Sequence, residues 1–165
     1  MQRLVLDADA LNAVAIDQRL VTLLCARAAR GLGTALTPHP LEAARLLGAT
    51  TAEVKVGRLC AAQMLDERFR CVFVLKGSGS IVAAPHRAPR INPTGNAALA
   101  TGGTDDVLAG WLGGSWAQAL AGDEPADVAA RAVAGHGAAA EPQKAGALRA
   151  GDLIEALYRR VQRTR

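Results

Sequence analysis

Hydrophobic positions along the chain alternate between two textures. Short apolar runs bounded by glycine or proline occur at LVLD (4–7), TALTP (34–38), CVFVLK (71–76) and SIVAA (80–84), and these predict strands. Helical spacing fills the intervals. One stretch covers about 18–30, with Leu20, Leu23, Leu24 and Ala28 on one face, and a second covers about 41–47. A third, at 51–68, opens with Thr50 and Glu53 at capping-box spacing and carries Val56, Leu59, Cys60 and Met64 on one stripe. Beyond Gly110 almost everything reads as helix, over about 103–120, 125–140 and 150–163. Strands separated by helices imply a parallel sheet with right-handed crossovers, hence a layered α/β fold. No linker or repeat divides the chain, and a domain of this length buries roughly 70% of its unfolded surface. Residues 1–165 therefore read as one domain.

Composition refines this picture. Half of the residues are hydrophobic but only 3% are aromatic, so the core is expected from Ala, Val and Leu. The net charge of +4 resides in the tail RRVQRTR, with Arg159, Arg160, Arg163 and Arg165; the rest of the chain carries 15 basic and 15 acidic residues. A basic helix end without interleaved aromatics complements the helix dipole and does not point to nucleic acid. Lysines number only three, Lys55, Lys76 and Lys144. Cys25, Cys60 and Cys71 are odd in number and never form C-x-x-C, which argues against a disulfide framework or a zinc site and for buried thiols. With no signal-like N-terminus and no apolar run of about eighteen residues, the expectation is a soluble, cytoplasmic protein with no membrane partner.

In open parallel sheets ligands lie beyond the carboxyl ends of the strands. The residues there are Asp7 and Asp9, then Thr37-Pro38-His39-Pro40, then Lys76-Gly77-Ser78-Gly79-Ser80, and finally Gly102-Gly103-Thr104-Asp105-Asp106 before a long helix. Each has a plain reading as well. Asp9 with Asn12 suits a helix cap, His39 a turn, and KGSGS a hairpin turn whose glycines supply positive φ. Neither a P-loop nor G-x-G-x-x-G is present. What the sequence offers is a glycine-rich turn leading into a helix N-terminus, an arrangement that binds phosphate. An aspartate one residue inside it can act as base for a hydroxyl that attacks a bound phosphoryl group.

LVLDADALN (4–12), TPHPLEAARLLG (37–48), VLKGSGSIVAAP (74–85) and NPTGNAALATGGTDDVLAG (92–110), in this order, resemble the successive motifs of the ADP/ATP-dependent NAD(P)H-hydrate dehydratases, a branch of the ribokinase-like superfamily. The late helices, with AGHGAAA and AGDLIEAL, extend the likeness. The resemblance implies a ribokinase-like layered fold with a mostly parallel sheet, here lacking its N-terminal strands, because family members carry roughly a hundred further residues before DADALN. It implies a lyase that dehydrates the hydrated dinucleotides NADHX and NADPHX, with ADP (or ATP) as co-substrate and Mg2+. By position, His39 and Asp106 would bind the substrate, with Asp106 as catalytic base. Lys76, Gly77, Ser78, Gly79, Ser80, Asn96, Gly102, Gly103, Thr104 and Asp105 would bind the nucleotide, and no protein metal ligand is implied. The expected partners are the hydrate and the adenine nucleotide, with assembly as a homo-oligomer or with a chain supplying the N-terminal portion. Two other readings are a non-catalytic nucleotide-binding protein and a ribokinase-like small-molecule kinase.

This chain departs from the family pattern in having Leu41 in HPLE, Ala97-Ala98-Leu99 in GNAALA, and Asp105 where the family has glycine. A carboxylate about 5 Å from a phosphate oxygen would cost about 3 kcal/mol at an effective dielectric of about 20.

Overall fold

The backbone alternation of the predicted strands sets the architecture. In the computed structural model, which describes residues 2–142 and 148–163, the apolar runs become β1 (Arg3–Leu6), β2 (Gly33–Leu36), β3 (Val72–Leu75) and β4 (Ile81–Ala83), followed by a short β5 (Arg90–Ile91). Lys144 and Arg165 lie outside the described residues. The strands form one sheet in the order β1-β2-β3-β4-β5. β1 pairs β2 and β2 pairs β3 in parallel, with Val5 opposite Ala35 and Leu36 opposite Phe73. β3–β4 and β4–β5 are antiparallel, with Val74 opposite Val82 and Ile81 opposite Ile91. The change of direction follows from connection length, since Lys76–Ser80 is too short for a crossover and can only close a hairpin.

Successive strand residues point to opposite faces, and both faces are covered. Leu36, Phe73, Leu75, Ile81 and Ala83 face a layer made of α1 (Asp9–Ile16), α2 (Gln18–Ala29), α3 (Pro40–Leu47), α4 (Thr51–Val56) and α5 (Arg58–Phe69). Ala35, Val72, Val74 and Val82 face α6 (Thr104–Gln118) and α7 (Pro125–Ala140), packing on Leu108, Leu112, Trp116 and Val133. α8 (Ala150–Arg163) adds Leu153 and Leu157 to a smaller cluster with α7. Trp116 accounts for Gly33: a β-carbon there would lie 2.8 Å from the indole. No helix among the described residues is long and apolar enough to cross a membrane.

Several sequence expectations are corrected. Residues 9–16 form a helix of their own, so Asp9 stands in its first turn and is no cap; the α2 cap is Asp17, whose side chain accepts from Arg19 N–H. Asn12 lies inside α1, and its Oδ1 accepts from Arg45 at 2.6 Å. The 51–68 stretch is two helices broken at Gly57, and the break shifts the helical phase. Consequently Val56, Leu59, Cys60 and Met64 face outward, while Val54, Ala61, Ala62, Leu65 and Phe69 are buried. Leu23 also points outward, leaving Val21 and Leu24 as the buried residues of α2. Among the thiols only Cys71 is buried, and burial pushes it up to about 12; Cys60 is exposed.

Candidate active site

The carboxyl ends of β1, β2 and β3 converge beside the N-terminus of α6, as the switch-point argument requires. Thr37 N–H and its hydroxyl both donate to the Leu6 carbonyl, and Lys76 N–H donates to the Pro38 carbonyl. These bonds hold the three strand ends together. Between them Lys76 is buried, and its ammonium donates to Asp7 Oδ1 at 2.8 Å. The lysine expected to reach a nucleotide therefore lines the cavity with its charge already paired.

The Lys76–Ser80 segment is at once the hairpin turn and a wall of the cavity. Gly77 and Gly79 have φ of 138° and 63°, a region that favours glycine. The Ser78 and Gly79 carbonyls of this turn are held by Arg58, the first residue of α5, while the Gly77 carbonyl accepts from the Ser80 hydroxyl. Its guanidinium donates to the carbonyls of Ser78, Gly79 (3.0 Å) and Leu75 (3.4 Å). Burial lowers the Arg58 pKa from its ordinary value. Sequence reading missed this residue, because a side chain acting on carbonyls some twenty positions away leaves no spacing signal.

α6 begins with a cap of special geometry. Gly103 is left-handed at φ 85°, and no side chain caps the helix; Thr104 N–H donates back to the Thr101 carbonyl at 3.4 Å, and the rest of the first turn has no side-chain partner for its N–H groups. Thr104 is buried, and its hydroxyl lies 2.7 Å from the Leu99 carbonyl and 2.8 Å from that of Thr101, locking the turn that precedes the helix. Asn96 works similarly. Its Oδ1 accepts from Ala98 N–H and its amide donates to the Ala140 carbonyl.

His39, Lys76, Gly77, Ser78, Gly79, Ser80, Asn96, Thr104 and Asp105 line one cavity of about 420 Å³, a volume within the range of small-ligand sites. Gly102, Gly103 and Asp106 do not line it. Asp106 is exposed on the outer side of the first α6 turn, whereas Asp105 faces inward and its Oδ2 lies 3.0 Å from His39 Nε2. The His39 backbone N–H is tied to Glu42 at 2.8 Å at the start of α3.

The far wall comes from residues given no role in the sequence reading, although they lie in its NPTGNAALATGGTDDVLAG and AGHGAAA motifs. His136 of α7 is buried, its Nε2 is 2.9 Å from the Thr104 carbonyl, and burial lowers its pKa from the ordinary imidazole value. Because a carbonyl can only accept, Nε2 carries the hydrogen. Thr94 Oγ1 lies 3.0 Å from the Ala134 carbonyl and 2.9 Å from Asn92 Oδ1. Gly95, at φ 100°, meets Gly137 so closely that a β-carbon on Gly95 would lie 3.3 Å from Gly137 Cα. One on Gly137 would lie 2.8 Å from the Thr94 carbonyl group. A sequence signal for this wall exists in hindsight: Gly135-His136-Gly137 interrupts an alanine-rich helix, where glycine is unfavourable unless space demands it.

The family model described as NAD(P)H-hydrate dehydratase matches residues 1–163. The ADP-dependent (S)-NAD(P)H-hydrate dehydratase of Neisseria meningitidis is 43% identical over 150 residues, covering 91% of this chain and 48% of that protein. The crystal structure of the ADP/ATP-dependent NAD(P)H-hydrate dehydratase of Bacillus subtilis, co-crystallised with ATP/Mg2+, superposes with a TM-score of 0.81 at 32% identity, covering 99% of this chain and 55% of that one. A ribokinase-like superfamily protein of Enterococcus faecalis, at 21% identity and a TM-score of 0.73 over 96% of this chain and 52% of its own, shares the fold. The chain thus spans about half the length of these proteins. On the ordered motifs, the ribokinase-like layering and the family match along almost its whole length, this chain belongs to the NAD(P)H-hydrate dehydratase family.

Proposed function

We propose that the chain acts, as a single domain, in ADP-dependent dehydration of NADHX and NADPHX, returning NADH and NADPH with formation of AMP and phosphate. The observation that carries this reading is the convergence of His39, the Lys76–Ser80 turn and the uncapped α6 N-terminus on one cavity. Open N–H groups at a helix start favour a phosphate, and the left-handed Gly103 allows its close approach. In the proposed reaction the hydroxyl of the hydrate loses its proton to a carboxylate and attacks the terminal phosphoryl of ADP. AMP leaves, the ring-nitrogen lone pair then expels phosphate to give an iminium ion, and loss of a proton from the adjacent ring carbon to water forms the carbon–carbon double bond of NADH or NADPH.

Asp106 is the proposed base. Its carboxylate is exposed and free to take a proton, whereas that of Asp105 is engaged with His39. The hydrate would accordingly sit at the rim by His39 and Asp106, and the nucleotide along Lys76–Ser80, Asn96 and residues 102–105. Among the described residues no group of three His, Cys, Asp or Glu could hold a metal ion. In the proposal Mg2+ arrives on the nucleotide phosphates, the usual mode for this cation. The proposal places the protein in the cytoplasm, with neither nucleic acid nor membrane as partner. It also includes assembly through β1, an edge strand with one side unpaired in the sheet, with a second copy or with a chain supplying further strands.

The test is incubation of the purified chain with ADP, Mg2+ and NADHX while NADH absorbance is followed. Appearance of NADH that depends on ADP and is abolished in Asp106→Asn supports the reading. Nucleotide binding without NADH points to the non-catalytic alternative, and ATP consumption that needs a hydroxylated small molecule points to the kinase.

A further inference from the structure

Asp105 puts a carboxylate in the turn expected to receive phosphate, and its surroundings show how the charge is accommodated. Its Oδ2 lies 3.0 Å from His39 Nε2, and both side chains are about half exposed, at 41% and 46%. The contact joins the loop after β2 to the first turn of α6 and crosses the cavity. The other charged or titratable groups nearby are otherwise engaged or turned away. Lys76 and Asp7, from the ends of β3 and β1, are paired with each other. His136 of α7 is bonded to the Thr104 carbonyl, Glu42 of α3 accepts the His39 backbone N–H, and Asp106 is exposed outside the cavity wall. Among these groups it is His39 that lies within ion-pair distance of the Asp105 carboxylate, while His136 feels that carboxylate from farther away.

We infer that the His39–Asp105 pair is a latch across the phosphate end of the cavity, released when a nucleotide phosphate takes His39 over from Asp105. The inference rests on the nucleotide-binding reading above. A phosphate at the open α6 N–H groups and the Asp105 carboxylate are like charges competing for one place and one donor. Binding turns Asp105 outward, and the freed Nε2 donates to the terminal phosphate, the part of the nucleotide next to the hydrate that His39 also contacts. Asp105 is in this way a specificity-determining residue: it lowers affinity for any anion too weakly held to break the pair. A phosphate that succeeds also draws the His39 loop onto itself.

The experiment is NMR of the full chain with 15N-labelled histidine at one fixed pH, with the His39 ring signals assigned through His39→Gln, combined with calorimetric titration of ADP. Wild type, Asp105→Asn and Asp105→Gly are compared, folding being checked by circular dichroism; two variants guard against one failing to fold. The latch predicts about tenfold tighter ADP binding in both variants. It also predicts His39 signals in the free variants shifted from wild type, and movement of the wild-type signals on saturation toward those of the ADP-bound variants. A gain below about threefold, or wild-type His39 signals unmoved at saturation, overturns the latch while measurable ADP binding leaves the nucleotide reading standing. Binding by the variants but not by wild type supports a latch that is closed too firmly for ADP alone. No binding by any of the three at millimolar ADP overturns the nucleotide reading, and the latch with it.

Discussion

At the scale of single residues, the buried Lys76–Asp7 pair illustrates why a lysine after a strand is ambiguous in sequence. The same position suits a phosphate ligand or a structural counter-ion, and what decides is Asp7, 69 residues away, at 2.8 Å. Breaking such a pair leaves one buried charge uncompensated, so Asp7→Ala should destabilise the protein by about 3–5 kcal/mol. The double change Asp7→Leu with Lys76→Met should cost much less, and urea unfolding of wild type and the two variants measures both. Gly137 makes the opposite kind of demand, for absence of a side chain. A methyl group there would press on the Thr94 backbone, so Gly137→Ala should cost about 1–3 kcal/mol and weaken ADP binding by displacing the 92–96 wall. Thermal unfolding and calorimetry read the two effects. The site was legible in its cavity lining where chemistry is written in local sequence, as in His39, KGSGS and the Thr104-Asp105 pair, whereas Gly102, Gly103 and Asp106 of the same motif fall outside the lining. It was not legible in Arg58, His136 and Gly137, whose work is done on the backbone of remote segments.

At the scale of elements, strands were read more reliably than helix faces. β1 to β4 are short apolar runs with clear punctuation, whereas β5 is two exposed residues and offers no alternation to detect. Helix existence was clear except for α1 over Asp9–Ile16, and α6, α7 and α8 end within two residues of their expected limits. The failure concerned phase. A single helix over 51–68 places Met64 on the apolar stripe, but the interruption at Gly57 rotates the turns of α5 and puts Leu65 inward. Leu65→Ala should then cost about 2–5 kcal/mol, while Met64→Lys should change stability by no more than about 0.5 kcal/mol. Chemical denaturation of the pair tests the phase directly, since a single uninterrupted helix predicts the reverse order.

At the scale of the whole molecule, His136 links the cavity wall to pH. Its folded-state pKa is held below the ordinary value of 6.5, chiefly by burial, with the Thr104 carbonyl and Asp105 acting in the opposite direction. Between the lowered folded value and 6.5 the unfolded chain binds more protons, so unfolding free energy falls as pH falls through this window. Above 6.5 the group adds no slope, and below its folded pKa the loss is complete. Unfolding midpoints measured across this range should therefore decline for wild type and flatten in His136→Gln, which keeps a donor for the carbonyl.

The pairing of Lys76 with Asp7 also bears on how the cavity behaves in concentrated salt. A site that attracts phosphate through mobile surface cations releases counterions on binding and weakens steeply as salt rises. Here the buried lysine is already neutralised, and the attraction left to the ligand comes from backbone dipoles at the α6 terminus and from one imidazole. Dipole fields act within about one helical turn, well inside the Debye length at ordinary ionic strength. Raising salt from about 0.05 to 0.2 M should accordingly change ADP affinity by less than about tenfold, because screening acts chiefly on exposed charges farther apart than a Debye length. Titrations at several salt concentrations would show it, and a protein with this cavity would keep its ligand through the swings of ionic strength that strip phosphates from a basic surface.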